Sequence, residues 1–337
     1  MATVTDTYLR DELAERHERL EAAIAAGGES ARLAGLLEEV DAALKRMDQG
    51  NYGLCDVCHE SVEADRLLTD PLLRTCLDHL TADERHALEQ DLDLAARIQS
   101  SLLPKTDLAL GGWEAFYHYE PAGAVSGDYC DLLPAEGNSG DLFFLIGDVS
   151  GKGVAASMLM AGLRAIVRTL IGASPPINVL MEQANRLFCE STAASHFATL
   201  VCGRASRSGR IEISNAGHCP PLLARGGEVL AFGATGLPIG LFCGGAFEVT
   251  TFDLSPGDTL LLYTDGLTET RDRSNTEYGA VRLTDLLRAR HTLPARDLVA
   301  ACRESVAAFR SGSPRLDDLT VMTIRRSSPA RSAASRP

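Results

Sequence analysis

Apolar positions along the first fifty residues recur at helical spacing. Leu9, Leu13 and Leu20 make one stripe, and Leu33, Leu37, Val40, Leu44 and Met47 a second, both set in charged, helix-favouring sequence from about Thr7 to Gln49. Gly27-Gly28 separates the runs and predicts the turn of an antiparallel helical hairpin. A third run places Leu88, Leu92, Ala95, Gln99 and Leu102 at alternating steps of four and three, a seam suited to pairing with another helix, and Pro104 ends it.

Beyond residue 110 the period shortens. Apolar runs divided by glycine-rich turns predict strands at Trp113–Tyr119, Leu142–Gly147, Ala198–Gly203, Ile211–Ser214, Pro221–Ala224, Glu248–Phe252, Thr259–Thr264 and Leu319–Ile324. Helices fit Val154–Leu170, Ile177–Glu190, Val281–Ala289 and Ala295–Phe309. Strands in succession, with two helices together after the second, imply α+β layering over two largely antiparallel sheets. The expected organisation is a hairpin with a cysteine-bearing segment over 1–82, a linker helix over 83–104, a layered domain over 105–326 and a disordered tail over 327–337, too poor in apolar residues to pack.

Composition narrows the picture. A length of 337 residues suits a small module plus one larger domain, and a 45% hydrophobic share supports a packed core. No uninterrupted apolar stretch approaches the roughly 18 residues that cross a bilayer. The start MATVTDTYLRDEL also lacks the marks of a secretory signal, so a cytoplasmic protein without a membrane partner is expected. A net charge of -14 argues against nonspecific nucleic-acid binding, and no direct nucleic-acid partner is expected.

Nine cysteines are present; Cys55, Cys58 and Cys76 cluster while six are scattered among apolar neighbours, a distribution suited to a reduced compartment with one metal site. Cys55-X₂-Cys58 and Cys76-X₂-His79, separated by 17 residues, form a Cys₃His set for tetrahedral zinc, with His59 as the competing ligand. The alternative is a metal-free segment whose cysteines are small buried hydrophobes.

The catalytic chemistry is expected in four segments: Ser126-Gly127-Asp128-Tyr129-Cys130-Asp131, Gly147-Asp148-Val149-Ser150-Gly151-Lys152-Gly153, Tyr263-Thr264-Asp265-Gly266 and Asp317-Asp318-Leu319-Thr320. Each sets aspartate against a strand end, and antiparallel pairing brings such ends to one rim. Carboxylates forced together raise one another's pKa unless cations neutralise them. An all-oxygen donor set favours Mg²⁺ or Mn²⁺, and two such ions about 3.5–4 Å apart suit in-line hydrolysis of a phosphoester. Taken singly, each segment also reads as an ordinary Asp/Gly turn. Ser150, Gly151 and Gly153 are expected to shape a close backbone turn; Lys152 is expected to be solvated, with contact to the phosphate as the alternative, and His218 to be a structural turn residue, with a general acid as the alternative.

The ordered segments SGDYCD, IGDVSGKG, NAGHCPPLL, TGLPIG, LLYTDGLTE and DDLTVMTI, over about residues 85–326, resemble the SpoIIE/RsbU branch of PPM-type protein phosphatases. The resemblance implies an αββα sandwich holding two Mn²⁺ or Mg²⁺ ions between its sheets. By position, Asp148 resembles the bridging ligand and Val149 a carbonyl ligand. Asp128, Asp265 and Asp317 resemble the other carboxylates, with Asp148, Asp265 and Asp317 carrying catalysis and Asp131 and Asp318 left open. The implied activity is hydrolysis of phosphoserine or phosphothreonine on a phosphorylated anti-sigma factor antagonist of the STAS type, in bacterial partner switching. The stretch LEQDLDLAARIQSSLLP resembles the linker helix of regulated relatives, which implies a homodimer through that helix. The segment MDQGNYGLCDVCHESVEADRLLTDPLLRTCLDHL resembles the DksA/TraR zinc finger, with His79 where a fourth cysteine is usual. Relatives of that finger bind RNA polymerase, so the alternative function is a non-enzymatic transcription regulator acting through the finger, with RNA polymerase as partner.

Overall fold

A computed structural model of the chain describes residues 4–25, 30–77, 82–135, 140–192 and 196–327. Helix α1 (Val4–Ala25) and helix α2 (Ser30–Asp48) form the hairpin that the two leucine stripes predict. Leu13, Leu20, Leu33, Val40 and Ala43 meet in its seam, buried because the spacing keeps them on facing stripes. The predicted turn at Gly27-Gly28 lies outside the described residues, as does the predicted tail beyond residue 327. A short helix α3 (Ala64–Thr69) follows the first two clustered cysteines, and α4 (Ala82–Leu102) carries the third stripe.

Eleven strands follow among the described residues, in two sheets, every strand-to-strand pairing antiparallel. The first sheet orders β1 (Asp107–Leu110), β2 (Trp113–Glu120), β11 (Leu319–Arg326), β10 (Thr259–Tyr263), β7 (Leu222–Arg225) and β8 (Glu228–Ala231). The second orders β3 (Asp128–Pro134), β4 (Leu142–Val149), β5 (Ala198–Ala205), β6 (Arg210–Ala216) and β9 (Thr250–Asp253). Side chains alternating along each strand divide between two faces. Leu132, Phe144, Ile146, Val201 and Ile211 of the second sheet meet Trp113, Leu260, Leu262, Met322 and Ile324 of the first in one core between the sheets.

The outer faces take helices. Tyr129, Phe143, Leu145 and Leu200 pack under α5 (Gly153–Gly172) and α6 (Ile177–Ser191). Leu261, Tyr263 and Val321 pack under α8 (Gly279–Arg290) and α9 (Ala295–Arg310), while the one-turn α7 (Asp265–Thr268) caps the end of β10. The layers therefore run helix, sheet, sheet, helix, as the resemblance implied. Helix α5 is long and apolar enough to cross a membrane, yet Ala156, Met160, Leu163, Val167 and Ile171 are buried in the core. Its Arg168 forms a bidentate pair with Asp131, at 2.6 and 2.8 Å.

Candidate metal centre

Asp128 and Asp148 lie directly opposite one another on β3 and β4. Asp265 follows the end of β10, and Asp317 precedes β11, its neighbour in the other sheet. The four carboxylates feel one another across the gap between the sheets, which is the convergence that the strand-end pattern predicted. Asp128 is fully enclosed, its Oδ2 accepting hydrogen bonds from the hydroxyls of Thr264, at 3.0 Å, and Thr320. Those threonines interlock as well: the Thr320 N–H donates to Thr264 Oγ1 at 2.9 Å, and the Thr264 N–H to the Thr320 carbonyl at 3.0 Å. The two strand ends that carry Asp265 and Asp317 are thus tied to each other and to Asp128.

Backbone must come close here. A Cβ on Gly127 would sit 3.0 Å from the Val149 carbonyl oxygen and 3.1 Å from Asp148 Oδ1, so these two oxygens face a common point. A Cβ on Gly266 would sit 1.9 Å from the Asp318 carbonyl oxygen, which excludes any side chain between Asp265 and Leu267. Gly151 and Gly153 take φ of 94° and 74°, and Ser150 ties its turn to β5 by accepting the Phe197 N–H at 3.0 Å, the turn-shaping role expected of this segment.

Burial raises Asp128 and Asp148 well above the ordinary carboxylate range, with Asp318 adding most among the charges on the first and Asp265 on the second. Burial and then Asp317 push Asp265 up to about 7, against the pull of Lys152. Nearby Glu269 rises to about 8, from burial and then Asp265. Such a rim is electrostatically incomplete, and a divalent cation answers both causes at once. All its donors are oxygens, the set that hard Mg²⁺ or Mn²⁺ prefers. Among the described residues no three carboxylates offer oxygens all within 4.8 Å of one another. The residues present fit the group that the resemblance implied.

Several neighbours depart from expectation. Asp131, left open as a ligand, points away from the rim and is neutralised by Arg168 and, at 3.8 Å, by Arg164. Asp318, also left open, spends both oxygens on backbone, accepting the Ala122 N–H at 2.7 Å and the Gly127 N–H at 2.9 Å. Lys152 is not solvated. Its ammonium donates to Tyr8 Oη at 2.9 Å and the Leu316 carbonyl at 3.0 Å, and lies 3.3 Å from Asp317 Oδ2. Burial opposes its charge, but Asp317, Glu12 and Tyr8 outweigh that and raise its pKa well above the ordinary lysine value. His218 pairs its Nδ1 with Thr199 Oγ1 at 2.8 Å, and burial lowers its pKa to about 4.

Sequence reasoning missed the threonine braces, Tyr8 and Gln99. Gln99 belongs to the apolar seam of α4, but it is buried and clamps Ser126, donating to its carbonyl at 2.7 Å and accepting its N–H at 2.9 Å. A polar residue in an apolar stripe was the available signal. Leu94 and Ile98, outside that stripe, are 49% and 53% exposed. Tyr8 carries no sequence signal, since only tertiary packing sets its hydroxyl against Asp317 at 3.0 Å.

The second gathering is the thiol group. Ligand atoms of Cys55, Cys58 and Cys76 all lie within 4.8 Å of one another, with the sulfurs of Cys58 and Cys76 3.5 Å apart. Tetrahedral zinc with bonds of about 2.3 Å sets sulfurs roughly 3.8 Å apart. The Cys58 backbone N–H, aided by those of Cys76 and Val57, lowers the Cys55 thiol to about 6 against the effect of burial, favouring the thiolate a metal needs. His59 does not join this group, and His79 lies outside the described residues.

The profile of the family described as Stage II sporulation protein E (SpoIIE) matches residues 138–327. Protein IcfG of Synechocystis sp. is 28% identical over 267 residues, 70% of this chain and 41% of that protein. Phosphoserine phosphatase RsbP of Bacillus subtilis is 25% identical over 236 residues, 68% of this chain and 56% of that protein. The chain thus spans about half the length of these two relatives. Among solved structures, the SiaA-PP2C domain of Pseudomonas aeruginosa superposes with a TM-score of 0.64 at 21% identity, covering 73% of this chain and 98% of that one.

Proposed function

The chain belongs to the SpoIIE family, and from that membership and the aspartate rim we propose that it is a metal-dependent phosphatase acting on phosphoserine or phosphothreonine in a protein. The observation that carries this reading is the set of facing strand ends bearing Asp128, Asp148, Asp265 and Asp317, where burial and mutual repulsion hold carboxyl pKa values high. Asp128, Asp148, the Val149 carbonyl, Asp265 and Asp317 would hold two Mg²⁺ or Mn²⁺ ions. Such ions supply a water acidified toward neutral pH and neutralise phosphoryl charge.

The chain's own groups do the positioning. Thr264 and Thr320 fix Asp128, while Asp318 locks the Gly127 turn to the start of β11. His218, neutral at working pH, orients Thr199 beneath the Asp148 carbonyl and contributes no proton. Burial raises the thiols of Cys130 and Cys219 beside the rim, so they stay protonated and poor nucleophiles. We read the hydrolysis as direct attack by an activated water, without a covalent phosphoenzyme.

We read the substrate as a phosphorylated anti-sigma factor antagonist of the STAS type; the name phosphoserine phosphatase borne by RsbP supports the substrate class. Residues 1–82 are read as a module in which Cys55, Cys58 and Cys76, with His79, hold a structural zinc ion, residues 83–104 as a linker and 105–326 as the catalytic domain. The test is Mn²⁺-dependent phosphate release from a phosphoserine protein. Asp148→Asn and Asp265→Asn should each abolish it, and unimpaired release by either would remove these carboxylates from the reaction.

A further inference from the structure

Helix α1 belongs to the hairpin, yet it lies across the rim of the other domain. Tyr8 donates to Asp317 Oδ2 at 3.0 Å and accepts from Lys152 at 2.9 Å, so its hydroxyl sits between the rim's acid and its ammonium. The Lys152 ammonium also lies 5.0 Å from the centre of the Tyr8 ring. One turn further along α1, Glu12 Oε2 comes within 3.6 Å of the same ammonium and, although buried, has no hydrogen-bond partner among the described residues. On the outer side Asp11 pairs with Arg271 at 2.9 Å.

These contacts leave little room. The cavity bordered by Tyr8, Gly266, Glu269, Arg271 and Asp317 beside these contacts has a volume of about 10 Å³, room for no more than one water, and Lys152 is not among its lining residues. The cover is also held from behind. Leu316, the residue before Asp317, packs with Tyr8, Leu9, Cys55, Val62 and Cys76, so the core of the cysteine-bearing segment continues into the loop that presents Asp317. An ammonium offers three protons, and here Tyr8, Leu316 and the carboxylates take them. Lys152 is nonetheless the ammonium that lies against Asp317, where a phosphoryl dianion held at the rim would be met.

We propose that Lys152 is the residue that binds the substrate's phosphoryl group as an ion pair, and that Tyr8 and Glu12 of α1 occupy its place, so that the folded chain is closed to its substrate until α1 lifts. The proposal rests on the phosphatase reading. Tyr8 offers Lys152 an accepting oxygen and Glu12 an anionic one, as a phosphoryl group would, and both leave together because they lie on one face of one helix, four residues apart.

The test uses the full chain in four forms: wild type, Tyr8→Phe, Tyr8→Ala with Glu12→Ala, and that double variant with Lys152→Met. Hydrogen exchange of residues 4–25 and Mn²⁺-dependent turnover of a phosphoserine protein are measured on each. The double variant should exchange faster over 4–25 while β10 and β11 keep their protection, and its kcat/KM should rise about tenfold or more, as expected when a closed population of nine-tenths or more is released. Tyr8→Phe should fall between. Adding Lys152→Met should raise KM for the phosphoprotein and weaken inhibition by inorganic phosphate, with kcat little changed. Wild-type exchange and turnover in the double variant of an active chain would overturn the proposal alone, as would phosphate inhibition insensitive to Lys152→Met. If the four forms bind Mn²⁺ but none turns over, the phosphatase reading falls, and the proposal with it. Loss of protection in β10 and β11 would mean that α1 holds the domain together, which also overturns it.

Discussion

Replacing Asp265 by asparagine should stabilise the metal-free chain at pH 8, and by only about half as much at pH 5.5. The carboxyl is held at about 7 in the fold against an ordinary 3.8. Between those values the folded chain keeps a proton that the unfolded chain has already given up, so stability falls as pH rises through the window and the loss is complete above pH 7. The displacement corresponds to about 4 kcal/mol at roughly 1.4 kcal/mol per unit. Asp265 retains some contact with solvent and shares its repulsion with Asp317 and Asp148, so about half of that is the reasonable expectation. That is ~2 kcal/mol, or about 4–8 °C in Tm for a domain of this size. Asparagine keeps the shape and lacks the charge, so it should recover that amount at pH 8 and about half of it at pH 5.5, where the folded carboxyl is neutral but the unfolded one has already ionised. Thermal unfolding of both chains in chelator at the two pH values reads the difference, and Mn²⁺ should reverse the order at pH 8 by stabilising only the wild type. An Asp265→Asn chain that is equally destabilised at both pH values would refute the electrostatic account of the rim.

Gln99→Leu should cost about 2–4 kcal/mol, because the buried N–H and carbonyl of Ser126 each lose their partner, and should raise the Mn²⁺ concentration needed for half-maximal activity. Denaturant titration and metal titration check the two parts. Asp131→Asn should destabilise by about 3–5 kcal/mol through Arg168 left without its carboxylate, yet leave the metal requirement unchanged, as expected of a residue outside the rim. The purified chain should carry one zinc by metal analysis, Cys58→Ser should lose it, and a zinc content unaffected by that change would leave the thiols as packing residues only.

The elements that the sequence placed well are those whose burial is one-sided or whose apolar run is unbroken. Leu142–Val149, Thr259–Tyr263 and the long helices α5, α6 and α9 fall within a few residues of expectation. Strand β3 escaped because Asp128 and Asp131 interrupt its apolar character, although both are buried once paired with threonines and arginines. Strands β1 and β8 escaped for a simpler reason, being four-residue edges with little buried surface. The main aspartates of the rim were legible because strand ends and glycine turns mark them. Their division of labour was not, since which carboxylate faces a cation and which faces backbone N–H groups depends on partners up to 196 residues away. The solvated reading of Lys152 failed in the same way: its partners Tyr8 and Glu12 come from another part of the chain altogether.

Asp317 and Asp318 make the point at the smallest scale. They are adjacent, chemically identical, and alternate in direction as residues entering a strand must. Asp318 turns inward, where two backbone N–H groups satisfy its charge and fix the Gly127 turn against β11. Asp317 turns to the rim, where its Oδ2 meets the Tyr8 hydroxyl, from α1, and the Lys152 ammonium, from the turn before α5. A carboxylate satisfied by backbone cannot be displaced without unfolding the turn, whereas one satisfied by a docked helix can exchange that helix for a cation or a substrate at modest cost. The alternation at the start of β11 therefore separates a permanent structural charge from an exchangeable one, and places the exchangeable charge where chemistry and cover compete for it.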